Sequence, residues 1–376
     1  MVSAFIAAAT VAHEAQAQRF LRGGGDSPPT AIEKITPETV GTPAAPPMEI
    51  TVRSGGSPPA PAPGRGGAKV RVTTFSGSPR PYTSPARAVT APDILAWQAA
   101  LDRAGFSPGL IDGEMGQRTR MAIQAFQEYA GLPVTGVPDE ATAQALGVTE
   151  QPALRYTVIT ANDAVEVGPN PTHWEAKARL KRLKYPSLAA LVAERGHCSL
   201  ATLTRLNPGV DLRKLRAGQR VLIPNVTMPR VLPRANLLEI DYGQKTISAF
   251  DASGRRIALF PCSIARHKDK RLTGTSQVTR IVMNPQYTFN PAMWPEVKDV
   301  NRVLTIPPGP RNPVGVCWIG LATRGYGIHG TPEPENIGKT GSHGCFRLTN
   351  WNVTRLALMV RVGTPVRFVD SSARGR

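Results

Sequence analysis

Between Gly325 and Leu348 the chain reads Gly-Tyr-Gly-Ile-His329-Gly330-Thr331, then, after a short interval, Ser342-His343-Gly344-Cys345-Phe346-Arg347-Leu348. A thiol is a poor nucleophile until it ionises, which a free cysteine does only near a pH of about 8.5. An imidazole beside it can take the proton and later return it to a departing amine. Glycine next to the sulfur lets a carbonyl carbon approach, and nearby backbone N–H groups can bind the oxyanion that forms. The chemistry open to this block is therefore acyl transfer through Cys345 with His329 or His343 as its partner. The inert alternative makes Cys345 a buried core thiol and His329 a structural histidine, and leaves the flanking Ser342-His343-Gly344 without a purpose.

The other three cysteines, Cys198, Cys262 and Cys317, form no CxxC pair with one another or with Cys345. That argues against a zinc site or a thioredoxin-like motif. They read as small apolar core residues, and a disulfide among them is left open by the sequence. His267, in Arg266-His267-Lys268-Asp269-Lys270, reads as a solvated loop residue. No metal and no organic cofactor is called for, because the thiol does the chemistry.

The block must be positioned by strands. From Asn236, Leu238, Ile240 and Tyr242 alternate, Gly243-Gln244 can turn, and Ile247 to Phe250 return,. Asp251-Ala252-Ser253-Gly254 is a second turn and Ile257 to Ile264 a further strand, which makes a β-meander. After the block, Asn350 or Asn352 can cap a helix whose inner face is Leu356, Met359 and Val360; Gly363 stops it, and Val366 to Val369 closes as a strand,.

Upstream, residues 93–148 carry helical spacing at Ile94, Trp97 and Leu101, ended by Gly105,. A turn-rich stretch follows, then a helix from Gln117 to Ala130 with Met121, Ile123 and Phe126 facing a core and Gly131 at its C-cap. Pro138 suits the first turn of a third helix. In residues 154–226, Tyr156-Thr157-Val158 can open a strand, and Leu188, Leu191 and Val192 share a helical face before Gly196. The basic run from Lys177 to Lys184 reads as a solvated helix face.

The chain's 376 residues suggest two or three domains,. Its 45 basic against 27 acidic residues give a formal charge of +18, which suits polyanionic surroundings without choosing among nucleic acid, anionic lipid and an anionic wall,. The basic residues are scattered and not interleaved with aromatics, so nucleic-acid binding is not expected. Residues 1–18 hold a short apolar stretch followed by Ala15-Gln16-Ala17, an incomplete signal peptide that points to export,. Residues 19–92 read as a disordered tether: fourteen of the 36 prolines lie between Pro28 and Pro92,. No segment of the mature chain is expected to span a membrane. Residues 370–376 are a tail.

Three resemblances follow from these residues. Leu101, Gly105, Asp112-Gly113, Gly116, Thr119, Ala122, Phe126-Gln127, Gly131-Leu132 and Gly136 resemble peptidoglycan-binding domain 1. Leu206-Asn207-Pro208-Gly209-Val210-Asp211, Leu215, Gly218-Gln219 and Val221 to Pro224 resemble the second half of a LysM module, whose two short strands flank two helices and grip glycan; the residues between Val158 and Leu188 are more numerous than that family carries. Ser342-His343-Gly344-Cys345-Phe346-Arg347 after Ile328-His329-Gly330, with Asn312-Pro313-Val314-Gly315, Trp318-Ile319 and Gly363-Thr364-Pro365-Val366, resembles the L,D-transpeptidase (YkuD) catalytic domain over residues 236–369.

The last resemblance implies a multidomain α+β chain ending in a β-rich, sandwich-like domain with the cysteine in a cleft. It implies that Cys345 attacks an L,D-configured bond in a murein stem peptide, releasing D-alanine, and that an amine of a second stem peptide resolves the thioester into a cross-link. His329 would be the general base and the Gly330 carbonyl would orient its ring. Backbone N–H groups around His343, Gly344 and Cys345 would form the oxyanion hole. Arg347 would support the loop or meet a substrate carboxylate, and Ser342 would hydrogen-bond the loop backbone. The partner is peptidoglycan and the place the periplasm or cell envelope. Two departures stand out: Leu272-Thr273-Gly274-Thr275-Ser276 lacks the family's Thr-Pro-x-Gly, and Phe346, where a smaller aliphatic is usual, could narrow the site. The alternatives are a carboxypeptidase on the same fold, in which water resolves the thioester, and a catalytically silent wall-binding protein.

Overall fold

The computed structural model describes residues 93–294 and 296–373. The leader, the tether and the end of the tail expected from the sequence lie outside them.

Asp93 accepts the Ala96 N–H and starts helix α1, Ile94–Ala104, which ends where Gly105 takes a left-handed φ of 98°,. Helix α2, Gln117–Ala130, closes on Gly131, φ 69°. Helix α3, Glu140–Leu146, is capped by Asp139, whose side chain accepts the Thr142 N–H, so Pro138 precedes the cap instead of opening the helix. Leu101, Phe106, Ile123 and Phe126 share a core with Leu259 of the catalytic domain. Two buried glutamines tie down the paired loops. Gln98 Oε1 accepts the N–H groups of Asp112 and Gly113, and Gln127 Oε1 those of Thr135 and Gly136.

The middle segment runs β1 Leu154–Val158, α4 Ala161–Val165, α5 Trp174–Ala178, α6 Leu188–Arg195, α7 Leu200–Leu206 and β2 Arg220–Pro224. The two strands pair antiparallel from Leu154 opposite Pro224 to Val158 opposite Arg220. Ile159, Leu191, Val192, Leu203, Val221 and Ile223 form its core. Residues 168–184 leave that core. Leu183 is buried instead among Phe289, Val300, Leu304 and Ile306 of the catalytic domain, with Trp174 and Leu180 packed alongside. The Lys177–Lys184 run is therefore only partly a solvated face: its leucines dock, while Lys177 lies over the Trp174 ring at 4.9 Å,.

The catalytic domain contains β3 Leu237–Asp241, β4 Thr246–Phe250, β5 Arg256–Pro261, β6 Thr275–Met283, β7 Tyr287–Phe289, β8 Leu304–Ile306, β9 Cys317–Leu321, β10 Gly327–His329, β11 Phe346–Arg347, α8 Asn350–Met359 and β12 Pro365–Val369. Strand β5 ends at Pro261, short of Ile264. Helix α8 is capped by Thr349, which accepts the Asn352 N–H, not by Asn350 or Asn352. Eight strands form one sheet in the order β11-β10-β9-β6-β12-β3-β4-β5, and β7 pairs with β8 apart from it. Its two edges meet: Ser263, just past β5, and Arg347 of β11 exchange backbone hydrogen bonds of 2.9 and 3.0 Å. The β-rich expectation thus takes the form of a single curled sheet rather than two facing ones. Val353 and Leu356 of α8 sit in its core with Ile240, Ile319, Ile328 and Phe346.

The three segments meet beside α8. His197 Nδ1 lies 3.0 Å from Asp102 Oδ1, the His197 ring stacks on Trp351 at 4.7 Å, and Arg355 reaches Asp102 from α8. Cys198, Cys262 and Cys317 are buried free thiols, so the disulfide left open by the sequence is not formed.

Candidate active site

Strand register brings Cys345 and His329 together. Strands β10 and β11 run parallel, with Ile328 opposite Phe346 and His329 opposite Arg347. Ile328 and Phe346 are fully buried in the core. Successive side chains on a strand alternate between faces, so Gly327, His329, Cys345 and Arg347 share the outer face. Cys345, one residue before β11, falls level with Gly327, which makes it a diagonal neighbour of His329, roughly 7 Å away between backbones. The same alternation removes one expectation: Phe346 points into the core against Tyr242 and Phe368, so it cannot narrow the site.

His329 is 6% exposed. Its Nδ1 lies 2.7 Å from the Gly330 carbonyl oxygen. A carbonyl only accepts, so Nδ1 carries the proton and Nε2 keeps a free lone pair for the thiol. On the other side of the ring Trp318, opposite His329 in β9, stacks at 5.5 Å and 11°. Burial, against the Gly330 carbonyl and helped by the Arg347 guanidinium, pushes the imidazole down to about 4. Cys345 is partly exposed, and its Sγ donates to the Gly325 carbonyl at 3.3 Å. Desolvation pushes this thiol up to about 11, partly offset by the Gly327 backbone N–H. The thiol is thus shifted up and the imidazole down, which disfavours a thiolate–imidazolium pair before a substrate binds,.

The loop before the sulfur is held from within. Ser342 Oγ donates to the Cys345 carbonyl and accepts the Gly344 N–H at 3.2 Å. That removes the Gly344 N–H from the expected oxyanion hole. The N–H groups of His343 and Cys345 donate to no acceptor among the described residues and remain available. Arg347 Nη2 donates to Thr340 O, Thr340 Oγ1 and Gly341 O at 2.7, 2.8 and 2.9 Å, so the guanidinium is committed to the loop. His343 is exposed and lies against Trp294, ring centroids 4.5 Å apart, with Glu296 at 3.8 Å. His267 is exposed.

Several wall residues have no motif that announces them. Tyr326 packs its ring against Gly344, where a Cβ would meet it at 3.2 Å, and donates its hydroxyl to the Lys270 carbonyl at 3.0 Å. Tyr287 accepts from Trp294 Nε1 at 3.1 Å. Burial pushes its phenol up to about 12, and the nearby Cys345 adds to the shift. Two tyrosines therefore flank the sulfur. The sequence brings Trp318 forward only as part of the family resemblance; alternation within β9 would have placed it on the His329 side,.

An L,D-transpeptidase catalytic domain model matches residues 235–368, and a putative peptidoglycan binding domain model matches residues 90–146. The putative L,D-transpeptidase YkuD of Bacillus subtilis is 30% identical over 168 residues, 45% of this chain and 85% of that protein. The homologous protein of Bacillus licheniformis is 29% identical over 164 residues, 44% of this chain and 82% of its own. Among solved structures, an L,D-transpeptidase from Xylanimonas cellulosilytica aligns over 74% of this chain and 93% of that one, at 17% identity and a TM-score of 0.29. Identity of 30% across 85% of the Bacillus subtilis protein makes this chain a member of the L,D-transpeptidase (YkuD) family.

Proposed function

We propose that Cys345 is the nucleophile and His329 the general base of a peptidoglycan L,D-transpeptidase. The observation that carries this reading is the shared outer face of β10 and β11, with His329 Nδ1 tied to Gly330 so that Nε2 is the free base. As Sγ bonds to the carbonyl carbon of a stem peptide, its proton passes to Nε2. The N–H groups of His343 and Cys345 receive the oxyanion. Collapse breaks the C–N bond, Nε2 gives its proton to the departing D-alanine nitrogen, and a thioester remains. An acceptor amine on a second stem peptide then attacks. Nε2 takes its proton, the S–C bond breaks, and the proton returns to sulfur.

We read residues 154–226 as a LysM-like glycan-binding module; the β1–β2 pair around α6 and α7 supports this, and the 168–184 segment is an insertion diverted to the catalytic domain. With residues 93–148 as a second wall-binding unit, the chain would hold its substrate at high local concentration. Action in the periplasm or cell envelope follows from that substrate.

The test is incubation with disaccharide-tetrapeptides and mass spectrometry of the products. Dimers with loss of D-alanine are expected. Tripeptide alone would identify a hydrolase, and wild type indistinguishable from Cys345→Ala would reduce the chain to a binding protein.

A further inference from the structure

The residues that hold His329 in place do not all belong to the catalytic sheet. Asn350, in the first turn of α8, is 2% exposed and sits behind the turn from His329 to Gly330. Its Oδ1 accepts the Val316 N–H at 3.2 Å. Two glycine backbones press on that oxygen: a Cβ on Gly315 would come within 2.2 Å of it, and one on Gly330 within 2.3 Å. Its Nδ2 donates to the Pro310 carbonyl at 3.1 Å and, across the boundary between segments, to the Glu194 carboxylate of α6, with both oxygens 3.3 Å away. Tyr185 of the same middle segment fixes that carboxyl, its hydroxyl donating to Oε1 at 2.8 Å.

The arrangement is directional. Pro310 O and Glu194 both accept, so the Asn350 amide nitrogen must face them and its oxygen must face Val316 and the two glycines. Without Glu194 one N–H of the buried amide loses its acceptor, and Pro310 O and the Val316 N–H alone hold its orientation. The same segment holds the adjoining loop by a second route. The Leu183 N–H donates to Pro308 O at 2.9 Å, and the Arg311 N–H to Leu183 O at 3.3 Å. A module serving only as a tether needs no polar side chain aimed at the support of a catalytic imidazole.

We propose that Glu194 is a positioning residue for the transfer reaction: it locks the Asn350 amide, which locks the Gly315–Gly330 contact, which holds the carbonyl that orients the His329 ring. The middle module is then part of the active-site scaffold as well as a wall anchor. This rests on the reading of His329 as the general base.

The test compares full-length wild type, Glu194→Ala, Glu194→Gln and His329→Asn, reading kcat, KM and the pH profile of transpeptidation on a soluble disaccharide-tetrapeptide, together with melting temperature. Glu194→Ala is expected to lower kcat by about tenfold or more with KM nearly unchanged. Its acid limb should move up toward the ordinary histidine range, because a loosened ring admits water. Glu194→Gln keeps an acceptor oxygen and should recover most of kcat. The proposal is overturned if Glu194→Ala turns over like wild type, if its loss only tracks a lower melting temperature with the acid limb in place, or if Gln is no better than Ala. An acid limb that persists in His329→Asn belongs to another group and overturns the base reading itself. A limb absent there but unmoved in Glu194→Ala overturns the positioning role alone.

Discussion

The indole of Trp174 lies on the ring of Phe289, centroids 4.1 Å apart and planes 20° from parallel, although one belongs to the middle segment and the other to β7 of the catalytic domain. Trp294 is next in the cluster, 6.0 Å from Trp174, and Trp294 is the ring that touches His343. The 168–184 stretch of the middle segment therefore supports one wall of the cleft beside His343.

Trp174→Ala should cost roughly 2 kcal/mol, below the range for a fully buried tryptophan because this one is only half-buried, and lower the melting temperature by about 5 °C. The freed stretch around Trp294 should gain sensitivity to limited proteolysis. A variant that melts with wild type and resists protease equally would mean that the aromatic cluster bears no load.

Because burial holds His329 near 4, the acid limb of kcat/KM should lie well below the usual histidine range of about 6.5. The base acts as neutral imidazole, so the rate rises as pH climbs through that limb. The same shift has a stability consequence. The folded-state value lies below the unfolded one, so between about 6.5 and 4 the unfolded chain binds the proton that the native one excludes. Stability is therefore full above that window and falls as pH drops through it. Thermal melts from pH 7 to 4 on wild type and His329→Gln should separate this contribution; an identical pH dependence in the two proteins would refute it.

Arg347→Ala tests which of its two expected jobs the guanidinium does. The Nη2 contacts to the Thr340 and Gly341 carbonyls and to the Thr340 hydroxyl predict a kcat loss of about 10- to 100-fold with KM almost unchanged, since the loop that aims the sulfur loses its anchor. A rise in KM at constant kcat would instead assign Arg347 to a substrate carboxylate.

Glycine at 315 is required twice over. Its φ is +65°, and a Cβ there would strike Asn350 Oδ1. Gly131 has a similar φ of +69° but open space around it. Gly131→Ala should cost only about 1 kcal/mol, whereas Gly315→Ala should either prevent folding or displace Asn350 and abolish turnover. Melting curves and activity for the pair decide this, and equal effects would remove Asn350 from the account.

Much of this was readable from local pattern. Ile-His lies on β10 and Ser-His-Gly-Cys runs straight into β11, and the alternation of those short strands also states that Phe346 faces inward, so that correction was legible in the sequence itself. Gly105 and Gly131 end their helices because only the left-handed conformation they favour lets the chain turn there. The docking of residues 168–184 on the catalytic domain was not legible. Lys177, Lys181 and Lys184 dominate the pattern, while Leu180 and Leu183 find their partners more than a hundred residues away. The loss of the Gly344 N–H from the oxyanion hole depends on one Ser342 rotamer, which no spacing encodes. The Glu194–Asn350 contact joins two segments by a tertiary hydrogen bond that leaves no periodic trace.

The join at Ser263 and Arg347 has a further consequence. A strand of two residues at the rim of a sheet would ordinarily fray, since half its amide groups face solvent. Strand β11 instead is clasped on both flanks, by β10 on one side and by Ser263 on the other, within two residues of the sulfur. Cys345 is thus mounted on a seam, and its sulfur can be aimed before any ligand arrives.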